Sequence, residues 1–264
     1  MKTYPSNLTK HQRKFIIPYL PKRGNKYRRK WKWKTILNAL FYVLRTGCQW
    51  RQLPETFPPW RTIYGYHRLF CDLGIWEKLN TTLRILIRLR EGRNAQPSAV
   101  VIDTESVKTT PVGGKRGYDG YKKVNGRKRF LLVDTLGLLV NVKIVTANTT
   151  EVQAAIQGLD AIKQDSELRN VQIVWADQGF RGELFRTWLG TNLGWKLELT
   201  SGISKPGRED FEVAPRRWVV ERTIAWLCRN RRLVCDFERL IEVSTGWVYA
   251  AMVLLMVCKL VKTA

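Results

Sequence analysis

Three carboxylates stand where this sequence could do chemistry: Asp103, Asp177 and Glu221. Asp103 closes the apolar run Ala99-Val-Val-Ile102, and Asp177 closes Val171-Gln-Ile-Val-Trp-Ala176. Short apolar runs of this kind read as buried strands. Glu221 lies in the stretch Pro215 to Arg232, among arginines at 216, 217, 222, 229, 231 and 232. Pro215 suits the first turn of a helix, and Val220, Ile224 and Leu227 recur at helical spacing. In open α/β sheets, sites form outside the carboxyl ends of strands. If the two strands are parallel neighbours, their aspartates lie side by side. Two strand-end aspartates and a helix-borne Glu make an oxygen-only ligand set, suited to Mg²⁺ with Mn²⁺ as the alternative. Two such ions about 4 Å apart can activate the attacking oxygen and stabilise the leaving one in phosphodiester displacement. Each residue also has a plainer reading. Glu221 can pair with its arginines on a surface helix, Asp103 can cap a turn, and Asp177 before Gly179 can be a turn residue.

Charge narrows the choice. The 264-residue chain carries a formal net charge of +24 and a pI near 10.2, which predicts a polyanionic partner, nucleic acid before membrane or acidic protein. With two histidines, a His-based metal site or Ser-His-Asp triad has little raw material. The five cysteines form no CxxC pair and are odd in number, and no apolar leader opens the chain. A reduced, cytoplasmic setting is the expectation.

The elements that must position these residues fall into two parts. Thr9-Lys-His-Gln12 resembles a capping box opening a short helix. Trp33 to Leu44 keeps one apolar helical face up to Thr46-Gly47, and two more helices are expected near 61–71 and 76–90. The cluster from Lys22 to Lys34, with Arg28, Arg29 and Lys30 at its centre, reads as a phosphate-tracking arm. The polar stretch 91–98 marks a boundary, giving domains at 1–92 and 99–264. Beyond the first strand, a glycine-studded basic loop contains Lys122, Lys123, Arg127 and Lys128, expected to be mobile and to hold a DNA backbone. Phe130–Val133 and Leu138–Val145 flank Asp134-Thr-Leu-Gly137 as a hairpin, with Asp134 a structural turn residue. Glu105 would share a sheet face with Asp103 if that strand continued. Helices at 150–163 and 181–189 and strands at 171–176 and 195–200 complete a pattern of helices covering an α/β sheet. The apolar stretch Trp247–Cys258 is shorter than the roughly 20 residues a membrane span needs, so a buried helix is expected and no membrane partner.

Several of these blocks, in this order, resemble the insertion-sequence-five family of bacterial DDE transposases. The matching stretches in front are Leu44-Arg-Thr-Gly-Cys-Gln-Trp-Arg-Gln-Leu-Pro54, Phe57-Pro58, Trp60 and Tyr64. Behind them come Ile102-Asp-Thr-Glu-Ser-Val-Lys108, Gly126-Arg-Lys-Arg129, Leu132-Val-Asp-Thr-Leu-Gly137, Ala176-Asp-Gln-Gly-Phe180 and Arg217-Trp-Val-Val-Glu-Arg-Thr-Ile-Ala-Trp226. The resemblance implies an RNase H-like mixed sheet flanked by helices, after a small all-α DNA-binding domain. It also implies a metal-binding triad of Asp103, Asp177 and Glu221, with Arg217 on phosphate and Arg222, Arg229 and Arg232 as further DNA contacts. The implied function is strand cleavage at element ends and strand transfer into target double-stranded DNA, by a bacterial, nucleoid-associated protein acting as a homodimer. An RNase H-like nuclease without strand transfer and a non-catalytic DNA-binding derivative are the alternatives. Relatives carry Tyr and Lys where this sequence has Ala214 and Cys228, and His and Tyr where it has Phe130 and Phe180.

Overall fold

The structure, a computed structural model, describes residues 3–22, 30–200 and 218–262. In chain order its helices are α1 (Lys10–Ile16), α2 (Trp33–Thr46), α3 (Trp60–Asp72) and α4 (Ile75–Arg90). The strands β1 (Ala99–Lys108), β2 (Gly117–Asp119), β3 (Val124–Asp134) and β4 (Leu139–Thr146) follow. Then come α5 (Glu151–Asp160), β5 (Ile173–Ala176), α6 (Glu183–Leu193), β6 (Lys196–Leu199), α7 (Trp218–Cys228) and α8 (Ile241–Lys262). By packing they form two compact units, residues 1–87 with 112–114 and 226–264, and residues 88–111 with 115–225. The C-terminal residues therefore pack with the N-terminal helices, a grouping that chain order does not announce.

In the first unit, α1 opens on the capping box that Thr9 and Gln12 suggest. The Thr9 hydroxyl accepts the Gln12 N–H at 3.2 Å, and the Gln12 side chain accepts the Thr9 N–H at 2.8 Å. Gly47 ends α2 at φ 67, the left-handed conformation that glycine adopts without steric cost. His67 is a core residue. Its ring stacks on Trp247 at 3.8 Å, its Nε2 lies 3.2 Å from the Val243 carbonyl, and its Nδ1 accepts the Trp76 indole N–H at 3.3 Å. Burial pushes its pKa down to about 3, so the ring is neutral and serves packing. Helix α8 is longer than the apolar stretch Trp247–Cys258 implied. Residues 241–261 are long and apolar enough to cross a membrane by length and composition, but 72% of the apolar window is buried inside the protein.

The second unit is built on the sheet. Strands β1, β5 and β6 are mutually parallel, whereas β3 runs antiparallel to β1, β2 and β4. Leaving the short β2 aside, the order is β4-β3-β1-β5-β6. A long hairpin beside three parallel strands is the RNase H-like arrangement that the resemblance implies. One face is sealed by Val100, Ile102, Phe130, Leu132, Val174 and Ala176, packed with Ala154, Ala155 and Leu159 of α5 and Phe185 and Leu189 of α6. Phe130 and Phe180 are fully buried in this core. A Cβ on Gly158 would sit 2.4 Å from the Phe130 ring, so α5 approaches the sheet as closely as a glycine allows.

Two expectations are corrected here. The first strand does not stop at Asp103 but runs on to Lys108, and β3 begins at Val124, so residues 124–129 are sheet rather than loop. The cause is pairing. Glu105 stands opposite Arg129 in the register, and strand-borne charges that meet opposite charges need not turn outward.

Candidate active site

The parallel ladder decides the placement of the two aspartates. Val101 pairs with Trp175 across β1 and β5. Asp103 follows its member of that pair by two residues within β1, and Asp177 follows the other by two residues, just past the end of β5. Because strand side chains alternate, both lie on the face opposite Ile102 and Ala176, away from the sealed core. Neighbouring strands are about 4.8 Å apart, so the two aspartates follow adjacent parallel backbones. Both residues are partly exposed. Asp103 Oδ1 accepts its neighbour's N–H, from Thr104, at 2.6 Å. Asp177 Oδ1 accepts the Gly179 N–H at 2.9 Å and caps the short helical turn 178–180.

The chemistry of this donor pair fits a hard divalent cation, which takes one or two carboxylates and completes its shell with water and phosphate oxygens. The third carboxylate is placed differently. Glu221 is on the exposed side of α7, while Val219, Val220 and Thr223 face inward. The helix is tied to the β3–β4 turn: the Thr223 hydroxyl donates to the Gly137 carbonyl at 2.7 Å and Arg222 donates to the Leu136 carbonyl at 2.9 Å. Among the described residues, no three of His, Cys, Asp and Glu come within reach of one metal ion. The structure thus sets Asp103 on β1 and Asp177 just after the adjacent parallel β5, and among the described residues it does not group Glu221 with them.

The basic residues expected to meet DNA divide sharply. Lys122 and Lys123 are exposed at the tip between β2 and β3, and Lys30 and Arg229 are exposed as well. Lys123 holds φ 53, the one non-glycine positive φ among the described residues. By contrast, Arg127, Lys128 and Arg232 are buried, which removes them from the set expected to meet DNA. Arg127 Nε donates to the Lys115 carbonyl at 2.9 Å. Lys128 Nζ donates to the Thr149 carbonyl at 2.7 Å and lies 3.4 Å from Asp119. Arg232 Nε donates to Glu238 at 2.9 Å. Charges placed in a core persist only with such partners. Arg222 is partly buried, its guanidinium 4.3 Å from the centre of the Trp218 ring. Arg28, Arg29 and Arg217 lie outside the described residues.

Asp119 anchors the tip. Its Oδ1 accepts the Tyr121 and Lys122 N–H groups, at 3.2 and 3.0 Å, and its Oδ2 accepts the Ser106 hydroxyl at 2.6 Å. Burial alone would raise its pKa, but these donors and Lys128 outweigh it and hold the carboxyl down to about 2. Asp134, read as a turn former, is fully buried and accepts from Arg88 at 2.8 Å and from the Leu136 and Leu138 N–H groups at 2.9 Å each. Glu105 accepts from the buried Arg129 at 3.1 Å. One carboxylate was passed over in the sequence. Glu151, the first residue of α5, accepts the Thr104 hydroxyl at 2.8 Å and lies 3.4 Å from Lys122 Nζ. Its signal was topological: β4 returns antiparallel to β3, so α5 must start at the edge where Asp103 and Asp177 stand.

Residues 94–256 match the family described as Transposase DDE domain. The chain belongs to the DDE transposase family. Residues 8–80 of this DDE transposase match a second family, of candidate transposases of the IS4/5 group. Among relatives, it is 30% identical over 125 residues to a candidate transposase for insertion sequence element IS402 of Burkholderia cepacia, covering 43% of this chain and 54% of that one. It is 28% identical over 86 residues to an uncharacterised 16.2 kDa protein of the same element, covering 32% and 57%. The chain spans about half the length of the curated relatives it matches. Among solved structures, the Mos1 transposase paired-end complex with left transposon end has 13% identity and a TM-score of 0.25, over 67% of this chain and 61% of that one. The Mos1 mariner paired-end complex with Mn has 12% identity and a TM-score of 0.28, over 91% and 80%.

Proposed function

We propose that this DDE transposase cleaves DNA strands at the ends of an insertion sequence and transfers the freed 3′-hydroxyl into target double-stranded DNA. The observation that supports the reading is that Asp103 and Asp177 each follow by two residues the paired Val101 and Trp175 of adjacent parallel strands, in a chain of net charge +24. Asp103 and Asp177 would hold the divalent ion that the family implies, Mg²⁺ by preference and Mn²⁺ as a substitute, with Glu221, on the exposed side of α7, as the third ligand of the implied triad. When bound, such an ion supplies Lewis-acid activation of the attacking oxygen and charge stabilisation at the leaving one. The chain's own residues do the positioning. Lys122 and Lys123 meet the phosphate backbone from the hairpin tip, and Arg217, Arg222 and Arg229 are further phosphate contacts. Lys30, with Arg28 and Arg29, extends the contact from an N-terminal domain at residues 1–92. Water attacks in the first step and the 3′-hydroxyl in the second, at one site in the domain that begins at residue 99. Pairing of two ends implies a homodimer, and a DNA substrate implies a cytoplasmic, nucleoid-associated protein.

The test is a cleavage and joining assay on DNA carrying the repeats that flank the gene. Cleaved ends and joined products, both requiring metal, are expected. Cleavage without joining would mark a nuclease, and DNA binding with neither step would mark a non-catalytic derivative.

A further inference from the structure

The Lys122 side chain is held in place from below. Its ammonium donates to the carbonyl oxygen of Thr104, the residue after Asp103, at 3.2 Å, and to Glu151 Oε1 at 3.4 Å. The same Glu151 oxygen accepts the Thr104 hydroxyl at 2.8 Å. The other oxygen, Oε2, presses on the turn that presents Asp177. A Cβ built on Gly179 would lie 2.1 Å from it and 3.0 Å from Asp177 Oδ1. One carboxylate therefore touches β1 beside Asp103, the basic tip, and the turn after Asp177. An ammonium has three donors, and these two contacts leave the third for a phosphate oxygen.

We infer that Glu151 is a positioning residue, which fixes the Lys122 ammonium beside the Asp103–Asp177 edge so that Lys122 meets the DNA phosphate there. This deepens the proposed function and rests on it for the identity of the polyanion. A plainer role is available: an acidic residue in the first turn of a helix stabilises that helix through its dipole. The two roles differ in sign. Removing a negative charge beside a DNA-binding surface should strengthen DNA binding, whereas releasing a positioned Lys should weaken it.

The experiment measures binding of the full chain to a fluorescein-labelled duplex by anisotropy, across a series of KCl concentrations, with EDTA present so that no metal contributes. Lys122→Ala should lower the slope of log affinity against log salt by about 0.9, the value of one phosphate contact. Glu151→Ala should match Lys122→Ala in affinity and slope despite its extra net positive charge, and the double variant should be no weaker than either. Glu151→Gln, whose amide oxygen still accepts from Thr104 and Lys122, should bind like the wild type. Gly179→Ala, which displaces the carboxylate while leaving it in the chain, should reproduce Glu151→Ala and stands in if that variant does not fold. The inference is overturned if Glu151→Ala binds more tightly than the wild type, or if its loss adds to that of Lys122→Ala. Metal-dependent nicking by the wild type is scored separately. A wild type that binds DNA but never nicks sinks the proposed function and leaves the coupling between Glu151 and Lys122 to be judged on its own.

Discussion

The tip between β2 and β3 and the strand that follows it carry the same kind of charge and put it to opposite uses. Lys122 and Lys123 are exposed. Only a few residues later, Arg127, Lys128 and Arg129 are buried, and Lys128 and Arg129 lie against Asp119 and Glu105. What separates them is enclosure: the strand residues are sealed in among carbonyls and carboxylates, whereas Lys122, although it meets the Thr104 carbonyl and Glu151, stays exposed at the turn. A run of basic residues is thus a poor guide to a DNA-binding surface until the acids opposite it are known.

That contrast can be broken by substitution, and the largest effect should fall in the strand. Arg129→Ala leaves Glu105 without the guanidinium it accepts from and should destabilise the fold by about 3–5 kcal/mol, read by urea unfolding at neutral pH. An Arg129→Ala protein as stable as the wild type would show that the buried charge is not structural. Asp119 should come next. Its pKa is depressed to about 2 from an unfolded value near 4, so its contribution is complete above pH 4 and lost as pH falls through 2. Asp119→Asn should cost on the order of 1–2 kcal/mol at pH 7, and its gap from the wild type should close as pH falls from 4 towards 2. Equal gaps at both ends of that window would contradict the assignment.

At the tip the stability effects should be small. Lys122→Ala should shift stability by no more than about 0.5 kcal/mol. Lys123→Gly should leave stability unchanged or raise it by up to about 1 kcal/mol, since Lys123 sits at a φ that glycine adopts freely. It should still lower the salt slope of DNA binding by about 0.9. A loss of stability from either, with DNA affinity unchanged, would put the tip in the same class as the strand. Smallest of all, Gly179→Ala should barely change the unfolding midpoint, because the atom it meets is the end of a flexible side chain.

The same physics explains how much the sequence disclosed. Apolar runs that end on an acid announced β5 and the start of β1, and with them Asp103 and Asp177. A hairpin around Asp134 and the Gly47 stop were equally plain, because turn and cap chemistry is local. The second half of β1 was hidden, since Thr104-Glu105-Ser106 is polar and becomes strand only through partners on β3 more than twenty residues away. Glu151 was hidden for the same reason, its role depending on the returning hairpin. Burial of Arg232 depends on Glu238, in a stretch that reads as ordinary surface.

The central claim is that Asp103 and Asp177 form one metal-binding edge. The most direct measurement is Mn²⁺-dependent nicking of supercoiled plasmid by the full chain and by Asp103→Asn and Asp177→Asn, with duplex binding recorded in parallel. Each variant should lose nicking and keep its affinity for DNA. Nicking that survives in either variant at the wild-type rate would contradict the claim.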